Sequence, residues 1–290
     1  MKKRSETSSF GVSLRVGHNS DKFYSSNLYS GIELTKITDY QENTLCDNVI
    51  NQIYQHSSID MHEIADNSIH LMITSPPYNV TKEYDQNLTL QQYLSLIDKV
   101  MRETYRVLIN GGRACINIAN LGRKPYIPLS DYIGRIMTDI GFNNRGQIIW
   151  DKAASSGGSC AWGSWKSASN PSLRDVHEYI LIFSKGDYKR KKGIDTIHKE
   201  DFLEWTKSIW KMNTESAKRV KHPAPFPEEL PHRLINLYSF ENDIVLDPFM
   251  GSGTTAVAAL KNNRKYIGYD VSAEYIKIAR ERISNVGKLF

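Results

Sequence analysis

From residue 51 onward, short apolar runs alternate with stretches of helical period. That order commits the chain to an α/β architecture on a mainly parallel sheet, because single strands separated by helices pair as parallel neighbours. Residues 68–74 form one such run, stopped at Ser75-Pro76-Pro77-Tyr78, where two prolines forbid a continued ladder. A buried strand is expected to deliver this tetrapeptide. Leu94, Ile97, Val100, Met101, Tyr105 and Leu108 recur at helical spacing over 90–108, and Asn110-Gly111-Gly112 is expected to end that helix before a strand over 114–118. A helix over 130–140 closed by Gly141 and a strand over 147–150 repeat the theme. The pattern resumes with a helix over 231–240, a strand over 243–247, a helix over 253–262, a strand over 266–270 and a last helix over 273–283.

Between these halves, residues 153–221 break the rhythm, with one clear strand over 178–183. Within 184–221, 11 Lys and Arg face 6 Asp and Glu, a local excess of +5 that equals the net charge of the whole chain, 37 basic against 32 acidic residues. Residues 1–45 are rich in Ser, Asn and Tyr, show no period and read as a loosely packed arm. The expected organisation is therefore an arm over 1–45, a first α/β part over 46–152, an inserted region over 153–221 and a second α/β part over 222–290.

With 290 residues the chain can bury a full core without disulfide or metal staples. Its three cysteines, Cys46, Cys115 and Cys160, are too few and too far apart for a disulfide framework or a four-ligand zinc site, so a reducing, cytoplasmic setting is expected and no metal is. No run of 18 apolar residues exists, and the basic start lacks the apolar stretch of a signal peptide, which argues against a membrane span or secretion.

Two segments carry chemistry. Asp247-Pro248-Phe249-Met250-Gly251-Ser252-Gly253-Thr254 joins a strand to a helix, and Asp270 ends the next strand. A glycine-rich turn of this kind exposes backbone N–H groups at a helix N-terminus, and an acid on the neighbouring strand can hold ribose hydroxyls, so an adenosine-bearing ligand is expected. A P-loop lacks its lysine here. A nicotinamide dinucleotide satisfies the loose glycine spacing, but the Asp247 carboxylate would repel a pyrophosphate and suits a cationic ligand such as S-adenosylmethionine. Blander readings stand beside these: Asp247 as a helix cap, Gly253 as a helix-packing residue and Asp270 as the partner of a Lys or Arg. In the second segment, the Ser75 hydroxyl and the Pro76 carbonyl can both accept from one NH₂ group while Tyr78 stacks on a flat ring, an arrangement suited to an exocyclic amine of a nucleobase. The plain alternative is a proline-rich strand terminator with a packing tyrosine.

Taken together, Thr74-Ser75-Pro76-Pro77-Tyr78, His222-Pro223-Ala224-Pro225-Phe226-Pro227 and Asp247-Pro248-Phe249-Met250-Gly251-Ser252-Gly253, in this order, resemble the beta group of DNA amino-methyltransferases of restriction-modification systems. The resemblance runs from about residue 51 to the C-terminus. It implies a Rossmann-like S-adenosylmethionine-dependent methyltransferase fold, helices on both faces of the sheet and a target-recognition region at 153–221. By that resemblance Phe249, Gly251, Gly253 and Thr254 line the cofactor, Asp247 sits near its amino group and Asp270 holds the ribose. His222 and Phe226 lie at its methionine end, while Ser75, Pro76, Pro77 and Tyr78 form the target-base pocket. Trp150-Asp151-Lys152 and Trp162-Gly163-Ser164-Trp165 resemble segments beside that pocket. One departure is that Gln55-His56-Ser57-Ser58 stands where the family usually has a Gly-Asp pair against the adenine. The implied activity is methyl transfer to the N4 amine of cytosine in duplex DNA with base flipping and without metal or covalent intermediate, and a restriction endonuclease is the implied functional partner. N6-adenine methylation is the near alternative, a nicotinamide-dependent dehydrogenase the distant one. Ser75 leans toward cytosine, since adenine enzymes of this family more often have Asp there. Lys189-Arg190-Lys191-Lys192 and Lys218-Arg219-Val220-Lys221 are the expected phosphate contacts, with Trp205 and Trp210 nearby for packing or stacking, the core being the plainer place for both tryptophans.

Overall fold

The computed structural model describes residues 5–6, 18–19, 21–78, 88–152, 161–191, 193–215 and 226–286. The chain divides into two compact units, Met1–Leu34 and Thr35–Phe290. The first contains a two-residue parallel pair, Ser5–Glu6 with His18–Asn19, and a short 3-10 turn at Asn27–Tyr29.

The second unit is built on an eight-stranded sheet whose strands, in chain order, are β1 Gln52–Tyr54, β2 Ile69–Thr74, β3 Leu108–Ile118, β4 Asn143–Asp151, β5 His177–Ser184, β6 Ile209–Lys211, β7 Ile244–Asp247 and β8 Lys265–Tyr269. Their order across the sheet is β1-β8-β7-β2-β3-β5-β4-β6, parallel throughout except where β5 runs against β3 and β4. The helices are α1 Leu90–Val107, α2 Leu129–Ile140, α3 Lys199–Trp205, α4 Glu229–Tyr238, α5 Thr254–Lys261 and α6 Ala273–Val286. A fold of this type, mostly parallel with helices on both faces, is the one the sequence implies.

Both faces are covered, as the near-continuous apolar strands require. Met72, Ala114, Ile116 and Leu246 face one layer with Ile97, Met101, Ile133 and Met137 of α1 and α2. Their strand neighbours Leu71, Ile73, Cys115 and Val245 face the other with Leu234, Ala256, Ala259 and Ala279 of α4, α5 and α6. The α1 boundary is set by a capping box, in which Thr89 Oγ1 accepts from Gln92 N and Thr89 N donates to Gln92 Oε1.

Asn110-Gly111-Gly112 is not the expected break: β3 begins directly at the end of α1 and runs through it. The glycines form a bulge at which the pairing with β2 slips, and Gly111, at φ +78°, passes so close to Lys189 that a side chain has no room. Within the region 153–221, β5 holds the expected strand and lies between β3 and β4, and β6 closes the edge of the sheet. Of the stretch 1–45, residues from Thr35 onward belong to the second unit, where Thr35 and Asn143 exchange hydrogen bonds of 2.9 Å.

β7 is placed beside β2, with Leu71 paired to Val245 and Met72 to Leu246. The two chemically loaded segments, far apart in the chain, therefore leave the same edge of the sheet on adjacent parallel strands, the position at which open α/β sheets bind ligands.

Candidate active site

Asp247, the last residue of β7, is 1% exposed. Its Oδ1 accepts from Thr74 Oγ1 at 2.7 Å and from Phe249 N at 3.1 Å, and its Oδ2 accepts from Thr255 Oγ1 at 2.6 Å. Burial pushes its carboxyl up to about 6, against the opposing pull of these three donors. The residue thus ties the end of β2, the cofactor turn and the first turn of α5 into one knot.

The turn itself is held from two sides. Asp270 Oδ2 accepts from Gly251 N at 2.8 Å and its Oδ1 from Ser272 N at 2.8 Å, so backbone groups take the place of the Lys or Arg partner considered above. Burial raises the Asp270 carboxyl. Arg282 of α6 donates to Ser252 O, Ser252 Oγ and Thr254 Oγ1, a brace that nothing in the motif announced. Gly253, at φ +79°, begins α5, and a Cβ there would lie 2.8 Å from Ala279 Cβ. This glycine is what lets α6 pack against the turn. Phe249 is half-buried against the α1–α2 layer, Phe226 against the opposite one. His222 lies outside the described residues.

An S-adenosyl ligand fits this donor set. Each Asp270 oxygen accepts from a backbone N–H and keeps a lone pair for a ribose hydroxyl. The half-buried Asp270 carboxylate stands beside a turn that carries no lysine, a poor match for a pyrophosphate, whereas Asp247 is buried with both oxygens bonded inside the protein.

On β2 and its neighbours a second cluster forms. Tyr78 donates its hydroxyl to Glu178 Oε2 at 2.9 Å and lies 3.4 Å from Ser75 Oγ. Burial and the Glu178 charge both push the Tyr78 phenol upward, so it remains a donor. Asn117 Nδ2 donates to the same Glu178 oxygen at 2.6 Å, and Lys152 Nζ pairs with Oε1 at 2.6 Å. Asn117 is 2% exposed, and its Oδ1 is buried with no partner among the described residues. Tyr78 beyond β2, Asn117 of β3 and Lys152 just past β4 thus converge on one carboxylate of β5, close to Ser75. Asn117 and Glu178 escaped sequence reasoning. The available signal was a polar residue inside each of two strongly apolar runs.

Trp205 and Trp210 are buried core residues, the plainer of their two expected places, with Trp210 Nε1 donating to Trp205 O. Trp150 is likewise buried and bonded to Met212 O. Arg190 is committed to a two-pronged ion pair with Asp243, at 2.6 and 3.0 Å, so it is not a free phosphate contact. Lys189 and Lys191 are exposed, as is Trp165, which stacks at 4.3 Å on Trp162. Lys192, Lys218, Arg219, Lys221 and Cys160 lie outside the described residues. No helix among the described residues is long and apolar enough to cross a membrane.

A family profile described as DNA methylase, covering N6 and N4 enzymes, matches residues 69–281. The type II methyltransferase M.MjaI of Methanocaldococcus jannaschii is 33% identical over 266 residues, covering 77% of this chain and 88% of that protein. The orphan methyltransferase M.BamHII of Bacillus amyloliquefaciens is 32% identical over 260 residues, covering 77% and 91%. Among solved structures, a DNA modification methylase of Thermus thermophilus, complexed with S-adenosyl-L-methionine, superposes with a TM-score of 0.69 at 28% identity, covering 83% of this chain and 96% of that one. The profile spans most of the sheet and both chemically loaded turns, and the chain belongs to the N6/N4 DNA methylase family.

Proposed function

We propose that the chain methylates the N4 amine of cytosine in duplex DNA, using S-adenosyl-L-methionine and a target base turned out of the helix. The observation that carries the reading is the Thr74–Asp247 hydrogen bond, which fixes Ser75 and Pro76 beside the glycine-rich turn. The cofactor supplies an electrophilic methyl group on a sulfonium, and the protein's part is positioning. Ser75 Oγ and the Pro76 carbonyl accept from the amine and turn its lone pair out of conjugation with the ring. Asn117 Nδ2, 3.5 Å from Ser75 Oγ and bonded to Glu178, holds the hydroxyl in place. Tyr78, its hydroxyl anchored on Glu178, offers its ring to the base. Phe249, Gly251, Gly253, Thr254 and Asp270 form the cofactor side, with Phe226 at its methionine end, and Asp247 acts by holding that side against β2.

A paired amine cannot be approached in line, and extruding its nucleotide costs roughly a few kcal/mol. Stacking and the acceptors at Ser75 and Pro76 offset part of that cost. Serine at position 75 favours cytosine over adenine on the family pattern. The segments of 153–221 outside β5 and β6 are the candidates for target recognition, and pairing with a restriction endonuclease follows the type II relatives.

The test is to incubate purified protein with radiolabelled S-adenosyl-L-methionine and, in parallel, mixed-sequence duplex DNA, total RNA or a protein mixture. Label is expected in DNA with the wild type and absent with Ser75→Ala. Label in RNA or protein instead of DNA would overturn the reading.

A further inference from the structure

On the loop that follows β1, where Gln55-His56-Ser57-Ser58 replaces the family's Gly-Asp pair, His56, His62 and Glu63 bring three ligand atoms within 4.8 Å of one another. His56 Nε2 lies 2.6 Å and His62 Nε2 3.4 Å from the same carboxylate oxygen, Glu63 Oε1. Zinc with bonds of about 2.0–2.1 Å sets tetrahedral ligand atoms about 3.3 Å apart. The His62–Glu63 spacing already meets that requirement, and the His56–Glu63 contact needs to open by less than about 1 Å.

The atoms facing away from this point are held from behind. His56 Nδ1 is 3.2 Å from Ser57 O, His62 Nδ1 is 3.4 Å from Asp60 Oδ2, and Tyr269 donates to Glu63 Oε2 at 2.9 Å. An outer oxygen on the second nitrogen of a histidine fixes its tautomer and aims the lone pair of Nε2 at a metal. The two rings stack at 5.4 Å and 15°, and every ring nitrogen faces an oxygen, an arrangement that calls for positive charge between the rings and Glu63.

We propose that His56, His62 and Glu63 bind one divalent transition ion of the zinc and cobalt class, with solvent in the fourth position. Two imidazoles and one carboxylate suit such ions better than magnesium or calcium, which prefer oxygen alone. The ion fastens the loop to the end of β8, where Tyr269 precedes Asp270. Asp270 N donates to Tyr54 O at 3.1 Å and Ser58 Oγ to Pro248 O at 2.8 Å, so the same loop already grips both cofactor-side turns. The role is structural, and methyl transfer itself needs no metal.

The full chain, without a histidine tag and dialysed against chelator, is titrated with cobalt(II). The expected result is one equivalent bound with a tetrahedral visible absorption band, displaced by zinc, and a metal-dependent rise in Tm. His62→Ala, at a side chain 65% exposed, is expected to fold normally and lose both signals. His56→Ala serves as the second variant. The proposal is overturned if no stoichiometric binding occurs, or if binding persists unchanged in both variants and so reflects adventitious ions only.

Discussion

Thr74 donates its hydroxyl to Asp247 Oδ1 at 2.7 Å across 173 residues of sequence. One bond joins the strand that ends just before Ser75 to the turn that opens α5, so both chemically loaded turns are positioned by the same buried carboxylate.

That carboxylate makes stability depend on pH. Asp247 titrates near 3.8 when unfolded and near about 6 in the fold, so the native state binds its proton more tightly. Its contribution is favourable below about pH 4 and is lost as pH rises to about 6, a change of about 3 kcal/mol. Urea unfolding of wild type and Asp247→Asn across this range should show the wild type losing that much relative to the variant. A pH-independent difference would contradict the role of burial.

Gly253→Ala places a methyl group 2.8 Å from Ala279 Cβ and 3.1 Å from its Cα, at a backbone φ of +79°. The expected cost is about 1–3 kcal/mol, from overpacking and strain together. Ala279→Gly in the same chain relieves the Cβ contact but not the Cα one and adds the cost of a glycine inside α6, so it should recover only part of the packing loss. Thermal unfolding of both variants measures the split.

Glu178→Gln removes the charge that Lys152 pairs with and loosens the anchor shared by Tyr78 and Asn117. The expected outcome is a kcat lower by on the order of 10²-fold with cofactor affinity unchanged, since misplacement of a reacting group carries that scale of penalty. Tyr78→Phe, which removes one hydroxyl, should lose less. Steady-state kinetics with calorimetric cofactor binding decides; normal kcat with reduced Tm would make Glu178 purely structural.

Cys115 is fully buried, and burial pushes its thiol far up, so it is no nucleophile. Cys115→Ala should keep full turnover. Cys115→Ser should keep turnover too, while losing about 1–3 kcal/mol for burying a hydroxyl. Lost transfer with retained DNA and cofactor binding would sink the non-covalent mechanism.

The regular elements were legible because their apolar residues keep a period over many positions, as in Ile97, Val100 and Met101 of α1. Three-residue β1 and β6 are too short to show one. Asn110-Gly111-Gly112 misled because glycine marks bulges as readily as breaks. The two turns were legible because proline and glycine act locally on the backbone. The Glu178 cluster was not: its members lie on or just past four strands, and only the antiparallel placement of β5 between β3 and β4 brings them together. For the same reason Arg190, read as a surface charge, proved to be the partner of Asp243.

The most direct measurement digests methylated duplex DNA to nucleosides and identifies the product by mass, with Ser75→Ala as the control. The account predicts N4-methylcytosine from the wild type and none from the variant. N6-methyladenine would contradict the base assignment while leaving the positioning scheme in place, and methylation undiminished in Ser75→Ala would contradict the scheme itself.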